Sequence, residues 1–241
     1  MELLYKYREF SENTDKIIIN AELYFASHDS FNDPFDCNLE FKESSFYSDK
    51  EFEDYCLKVG KVGIEKEEYL IELREKLIKA KLQVGILCMC QDDKNILMWS
   101  HYAKNHKGLC FGFECGFYDK KKIIYDKVIY PENEEYELVS FFNEQNGEIR
   151  RMFTTKSKFW KYEQEIRLID LSGGKTVGTK KFNREFLKEI IFGYKADETN
   201  IKKIIQLCQL NGFEHVVFKK ARIVSGRFEL DFDDIDKTKY L

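Results

Sequence analysis

The chain has 241 residues, 43% of them apolar and 34% charged, with a formal net charge of −4. This balance excludes a disordered chain and gives no positive excess for non-specific nucleic-acid binding. No stretch approaches the roughly 20 apolar residues of a membrane span, and no apolar run follows a basic start as in a signal peptide. The seven cysteines cannot all pair, and several sit in apolar runs such as Gly85-Ile-Leu-Cys-Met-Cys90. They read as free thiols of a reducing cytoplasm.

In chain order, Glu2 to Arg8 alternates loosely and predicts a strand. Ser11 is placed to cap a short helix through Asn20, with Ile17 to Ile19 facing inward. Leu23 to Ser27 predicts a second strand, and His28 to Asp36 is a loop rich in turn formers. Residues 48 to 82 are charged and helical, with Leu70, Leu73 and Leu77 on one side and Gly60 and Gly63 separating two helices. Val84 to Cys90 is short and wholly apolar, which predicts a buried central strand. Asn95 to Asn105 predicts a helix. Gly108 to Glu114 predicts a strand whose glycines admit a close neighbour. Lys122 to Tyr130 follows as a strand, Glu134 to Asn146 as a helix, and a further polar helix runs to about Trp160. Tyr162 to Asp170 alternates cleanly as a strand. Glu189 to Phe192 is a strand, Thr199 to Leu210 a strong helix, and His215 to Lys219 and Ala221 to Leu230 close the sheet.

Late strands outnumber helices and often adjoin. The order predicts an α+β fold with mixed, largely antiparallel sheets and flanking helices, not a doubly wound parallel sheet. No repeat or low-complexity linker is visible, so residues 1–241 read as a single α+β domain. The helical insertion at about 48–82 is the candidate lid.

Four segments could carry chemistry. In Tyr162-Glu-Gln-Glu-Ile-Arg167, period-two alternation puts Glu163, Glu165 and Arg167 on one polar face. Two carboxylates so spaced lie within roughly 7 Å of each other and raise one pKa, which suits general-base work or a grip on a ribose hydroxyl. On spacing alone, a solvated charged strand fits this segment better. The second segment, Trp99 to Cys110, holds His101 and His106. Their spacing is not that of a zinc site, but either could donate to a phosphate or ribose. In the third, Phe31-Asn-Asp-Pro-Phe-Asp36, Asn32 or Asp33 would cap a rigid turn, and the loop could line a cleft. In the fourth, Arg8 could grip a phosphate or form a surface ion pair. P-loop, dinucleotide-fold, zinc-protease and nucleophile-elbow motifs are absent.

Leu4-Tyr5-Lys6-Tyr7-Arg8 in the first strand, Leu23-Tyr-Phe-Ala-Ser27, Phe31-Asn-Asp-Pro-Phe-Asp36, Trp99-Ser-His-Tyr-Ala103, His106-Lys-Gly-Leu-Cys-Phe-Gly-Phe113 and Lys156 through Trp160-x-Tyr-Glu-x-Glu-x-Arg167 occur in that order. Together, over roughly residues 1–195, they resemble a bacterial and phage-associated family labelled a domain of unknown function. The layout in turn resembles an ADP-ribosyltransferase. That superfamily carries an Arg or His on the first strand, a polar Ser/Thr or Tyr motif in the middle and a Glu on a late strand. Here the resemblance puts Arg8 first, Ser27 or Tyr102 second and Glu165, after Glu163, last; a Ser-Thr-Ser signature is absent.

It implies NAD as substrate in a toxin or phage-defence effector, with a protein, nucleic acid or small molecule as acceptor. Arg8 would hold the pyrophosphate and a tyrosine, Tyr7 or Tyr102, would stack on the nicotinamide. Glu165 would stabilise the oxocarbenium-like transition state, and Glu163 would orient or deprotonate the acceptor. His101 joins the catalytic candidates, and Asn32, His106 and Arg167 join the cofactor contacts. No resident metal is implied. Two other readings stay open. One is a nuclease-type toxin holding Mg²⁺ on Glu163, Glu165 and Asp36 or Asp33, with Lys156 beside them. The other is a module that binds a nucleotide or partner without catalysis.

Overall fold

In a computed structural model, residues 2–38, 48–61, 63–119, 122–133 and 147–240 are described. The strands are β1 (Leu3–Arg8), β2 (Glu22–Phe25), β3 (Gly85–Cys90), β4 (Leu109–Glu114), β5 (Ile123–Lys127), β6 (Glu165–Asp170), β7 (Gly178–Lys181), β8 (Leu187–Phe192), β9 (Val217–Ile223) and β10 (Leu230–Asp234). The helices are α1 (Glu12–Ile19), α2 (Asp49–Lys58), α3 (Lys66–Lys81), α4 (Ile96–His101), α5 (Gly147–Thr154) and α6 (Glu198–Leu210). Eight strands form one sheet in the order β10-β9-β8-β4-β1-β3-β6-β5, and β2 pairs with β7 in a second. Within the large sheet β8 and β9 are parallel, joined by the α6 crossover that parallel neighbours require. The remaining ladders are antiparallel, so the expected mixed, largely antiparallel α+β architecture holds.

Alternation assigns the two faces of the sheet. Leu4, Leu87, Met89, Ile166, Leu168, Ile190 and Phe192 point to one face, where Ile17 and Ile18 of α1 and Ile201, Ile204, Ile205 and Cys208 of α6 cover them. Tyr7, Cys90, Cys110 and Ile191 point to the other face, against Trp99. Ile86 and Ile169 share that face and meet Phe153 of α5. Ser11 caps α1 by accepting from the Thr14 backbone N–H, as its position predicts. Ile19 was expected to face inward but is 44% exposed, because one short helix buries only a narrow stripe.

Several boundaries move. The helix expected over 95–105 ends at His101, and Lys104, Asn105 and His106 all take positive φ. The polar helix expected to run to Trp160 breaks after Thr154 and resumes as a 3-10 turn over Lys158–Glu163. The two last expected strands become one, β9, followed by β10. The helix expected over 134–146 lies outside the described residues. Residues 48–82 do form two helices, with Gly60 and Gly63 at positive φ between them. Phe52, Cys56 and Tyr69 give this pair a small core of its own.

The sheet is seamed between β1 and β3. β1 pairs with β4 along its whole length, from Leu3↔Glu114 to Arg8↔Leu109, and β3 pairs with β6 along all of its own. Between β1 and β3 only Tyr5↔Cys90 are in register. Farther along, the edge of β3 is taken instead by Ala26, whose N–H and C=O both bond to Ile86. The seam therefore opens beside Lys6, Tyr7 and Arg8. Gly108 holds the β1 side in place, since a Cβ there would sit 2.2 Å from the Arg8 carbonyl oxygen.

Candidate functional site

Two cavities flank the seam. One, of about 320 Å³, is lined by Tyr102, Lys156, Glu163 and Glu165 together with Asn32 and Asp36. The other, of about 640 Å³, is lined by Arg8, Asn13, Lys16 and Tyr24. They meet at Lys6, Ala26, Phe31 and Cys88, which border both.

The carboxylates of the smaller cavity are buried: Glu163 is 3% exposed and Glu165 5%. The expectation of a solvated charged strand is therefore overturned. It also fails locally, because β6 begins only at Glu165. Glu163 ends the 3-10 turn, and Gln164 turns the chain through a left-handed conformation at φ 44°. That one residue brings both carboxylates to the same ammonium. Lys156 Nζ lies 2.5 Å from Glu163 Oε2 and 3.5 Å from both Glu165 Oε2 and Asp36 Oδ2. It also sits 4.8 Å from the centre of the Trp160 ring.

Arg167 lies behind this group with no exposed surface. Its guanidinium donates to Glu165 at 2.9 and 3.0 Å, to Asp36 at 2.8 and 2.6 Å, and to the Phe153 carbonyl at 2.8 Å. These bonds engage every N–H that an arginine carries. Arg167, expected among the cofactor contacts, fixes Asp36 and Glu165 and lines neither of these two cavities.

The two glutamates differ electrostatically. Burial works against the charge of Glu165, but Arg167 and then Lys156 outweigh it and hold the carboxylate down to about 2. For Glu163 burial prevails over the opposing effects of Lys156 and the Tyr102 hydroxyl, and its pKa is raised. Neighbouring carboxylates pushed apart in this way divide into a fixed anion and a group that exchanges protons. The Tyr102 hydroxyl donates to Glu163 and accepts from Asn32 Nδ2 at 3.3 Å. Burial, with Glu163 beside it, holds the Tyr102 hydroxyl protonated far above the ordinary tyrosine range.

The remaining expected residues divide. Tyr7 borders the carboxylate cavity, although its ring packs on Trp99 at 5.1 Å and its hydroxyl donates to the Asp92 carbonyl at 2.6 Å. Arg8 lines the larger cavity. Its Nε is buried without a hydrogen-bond partner, and it forms no ion pair among the described residues, contrary to the surface-pair reading. The loop expectation holds in both its forms: Asp33 Oδ1 caps the turn by accepting from Phe35 N at 2.9 Å, while Asn32 and Asp36 line the cavity.

Three candidates stand apart from both cavities. His101 is exposed at the end of α4, its ring 6.1 Å from Tyr162 and 6.4 Å from Tyr102. His106 stacks on Trp99 at 6.4 Å and pairs with Ser100 Oγ at 3.1 Å. Ser27 Oγ is buried with no partner. Lys6, Cys88 and Met98 line the carboxylate cavity but were not among the expected site residues. Lys6 carried a signal, as a cation in the same strand as Arg8; the apolar lining residues carried none.

Among the described residues no group of three or more His, Cys, Asp or Glu side chains is placed to hold a metal ion. Asp36, Glu163 and Glu165 do converge, but on Lys156 and Arg167, so their charge already has partners. Among the described residues no helix is long and apolar enough to cross a membrane.

A family described only as a protein of unknown function, DUF2971, matches residues 98–168. That stretch contains Tyr102, Lys156, Glu163, Glu165 and Arg167; Lys6 and Arg8 lie outside it. No curated protein and no solved structure matches the chain.

Proposed function

We propose that the seam binds NAD and that the protein transfers its ADP-ribosyl group to an acceptor or to water, as an ADP-ribosyltransferase does. The observation that carries this reading is the pairing of an arginine that has no ion pair among the described residues with a divided carboxylate pair across one opening in the sheet. Arg8 lines the larger cavity, its buried Nε without a partner and its charge without an ion pair among the described residues, which suits a phosphate. Glu163 and Glu165 line the smaller one, where three carboxylates against Lys156 and Arg167 leave one net negative charge, suited to a developing ribosyl cation. An extended dinucleotide laid across the seam would meet both.

In this reading the bond from ribose C1′ to the nicotinamide nitrogen breaks, and its electron pair leaves with nicotinamide. Glu165, held ionised by Arg167, faces the positive charge that develops at C1′. The nucleophile, an acceptor group or water, bonds to C1′ and gives its proton to Glu163. Tyr102 orients the Glu163 carboxylate, and Lys156, shared by the two anions, offsets their mutual repulsion. The Mg²⁺ nuclease reading finds less support, since a metal would have to displace Lys156 from three carboxylates.

The test is nicotinamide release from NAD by the wild type and by Glu163→Gln. Loss of a general base predicts a fall of roughly 100-fold or more with cooperative unfolding retained. Wild-type turnover in that variant, or no release by the wild type with protein, nucleic acid or water as acceptor, would overturn the reading.

A further inference from the structure

One charged side chain stands where the two cavities meet. Of the four residues bordering both, Lys6 alone is charged. Its Nζ reaches over the seam and donates to the Cys88 carbonyl oxygen at 2.7 Å. That carbonyl belongs to the stretch of β3 with no ladder partner on β1, so the lysine satisfies an acceptor that the opened sheet leaves free. Among the described residues Lys6 forms no ion pair. A half-buried ammonium whose direct partner is a neutral carbonyl is poorly compensated. Burial correspondingly lowers its pKa, with Glu165 and Glu163 only partly offsetting that effect.

We propose that Lys6 is the cation that receives the diphosphate of a bound dinucleotide, and that the Lys6–Cys88 contact across the seam is exchanged for it when the ligand enters. This rests on the reading of the seam as a nucleotide site and names the part of the ligand that the seam selects. A ligand filling both cavities must pass between them at Lys6. In a dinucleotide the group joining the two nucleosides is the diphosphate, so the anionic bridge and the poorly compensated ammonium coincide. Arg8 and Lys16 in the larger cavity lie on the same path. The Cys88 carbonyl released in the exchange needs a new donor, and a ribose hydroxyl or the nicotinamide carboxamide supplies one. The site therefore favours nucleotides with a diphosphate over a nucleoside that fills one cavity.

Calorimetric titration of ADP-ribose and adenosine into the wild type, Lys6→Met and Lys6→Arg tests this. Loss of a charge-assisted contact predicts about tenfold or more weakening of ADP-ribose in Lys6→Met. Adenosine affinity is expected to be unchanged, and Lys6→Arg to retain most of the ADP-ribose affinity. Equal ADP-ribose affinity in Lys6→Met and wild type overturns the assignment, as does an equal loss for adenosine, which would mark Lys6 as structural. A wild type that binds ADP-ribose in this Lys6-dependent way but releases no nicotinamide from NAD leaves Lys6 assigned and defeats only the catalytic reading.

Discussion

At Arg167 one fully buried guanidinium neutralises Asp36 and Glu165 while Lys156 serves Glu163, Glu165 and Asp36. The buried group thus carries three negative and two positive charges. Removing one partner of such a set strands the others, so Arg167→Met is expected to cost about 3–5 kcal/mol, read by urea denaturation. The pKa shifts of the two glutamates have opposite signs. Glu165 has a folded pKa of about 2 against an unfolded value near 4.3. Its contribution is present above the unfolded value and is lost as pH falls toward 2, on the order of 3 kcal/mol in all. Glu165→Gln is therefore expected to be destabilising at pH 7 and progressively less so toward pH 3, measured by denaturation at each pH. Glu163 has a raised pKa, so its ionised form costs stability as pH rises past the ordinary carboxylate range. Its neutral isostere Glu163→Gln is expected to unfold at the same temperature as the wild type or higher at pH 7. A gain in stability with a loss of activity would mark a carboxylate kept for function.

Between residue and sheet, one backbone conformation assembles the carboxylate pair. Gln164 is exposed and left-handed, a conformation that costs a residue other than glycine roughly 1 kcal/mol or more. Gln164→Gly is expected to be neutral or slightly stabilising. Gln164→Val, with a branched Cβ, is expected to lose about 1–2 kcal/mol and to displace Glu163 from Lys156, seen together in thermal unfolding and in nicotinamide release. This residue also marks how far the sequence could be read. Alternation put Glu165 and Arg167 on one face and Ile166 and Leu168 on the other, and the structure keeps that division. The same alternating letters continue back through Glu163, where the chain is a 3-10 turn, so the pattern could not reveal the break. Burial was hidden as well, because three acids and two bases spread over residues 36 to 167 look solvated until folding brings them together. The sequence pattern carries α4 four residues too far, to Asn105, because no glycine or proline marks its end at His101. β10 was missed at Leu230-Asp-Phe-Asp-Asp234, where an acid-rich strand is stabilised by pairing Asp231 and Asp233 with Arg222 on β9.

Across the whole molecule the seam between β1 and β3 sets where a ligand can enter. Most of the fold follows from local signals: the wholly apolar β3, the capped α1 and the amphipathic α6 were all legible. The seam was not, because it depends on Ala26 taking the edge of β3 at Ile86, a contact between segments 60 residues apart in number. The family match over residues 98–168 covers the carboxylate wall, while Lys6 and Arg8 on the opposite wall come from the first strand. Both walls must therefore respond to one ligand. Hydrogen–deuterium exchange of the wild type with and without ADP-ribose measures this directly. Protection is predicted at Lys6 to Arg8, at Leu87 to Cys90 and at Glu163 to Glu165 together. Exchange at those three segments unchanged by saturating ADP-ribose, or protection confined to one wall, would contradict the account.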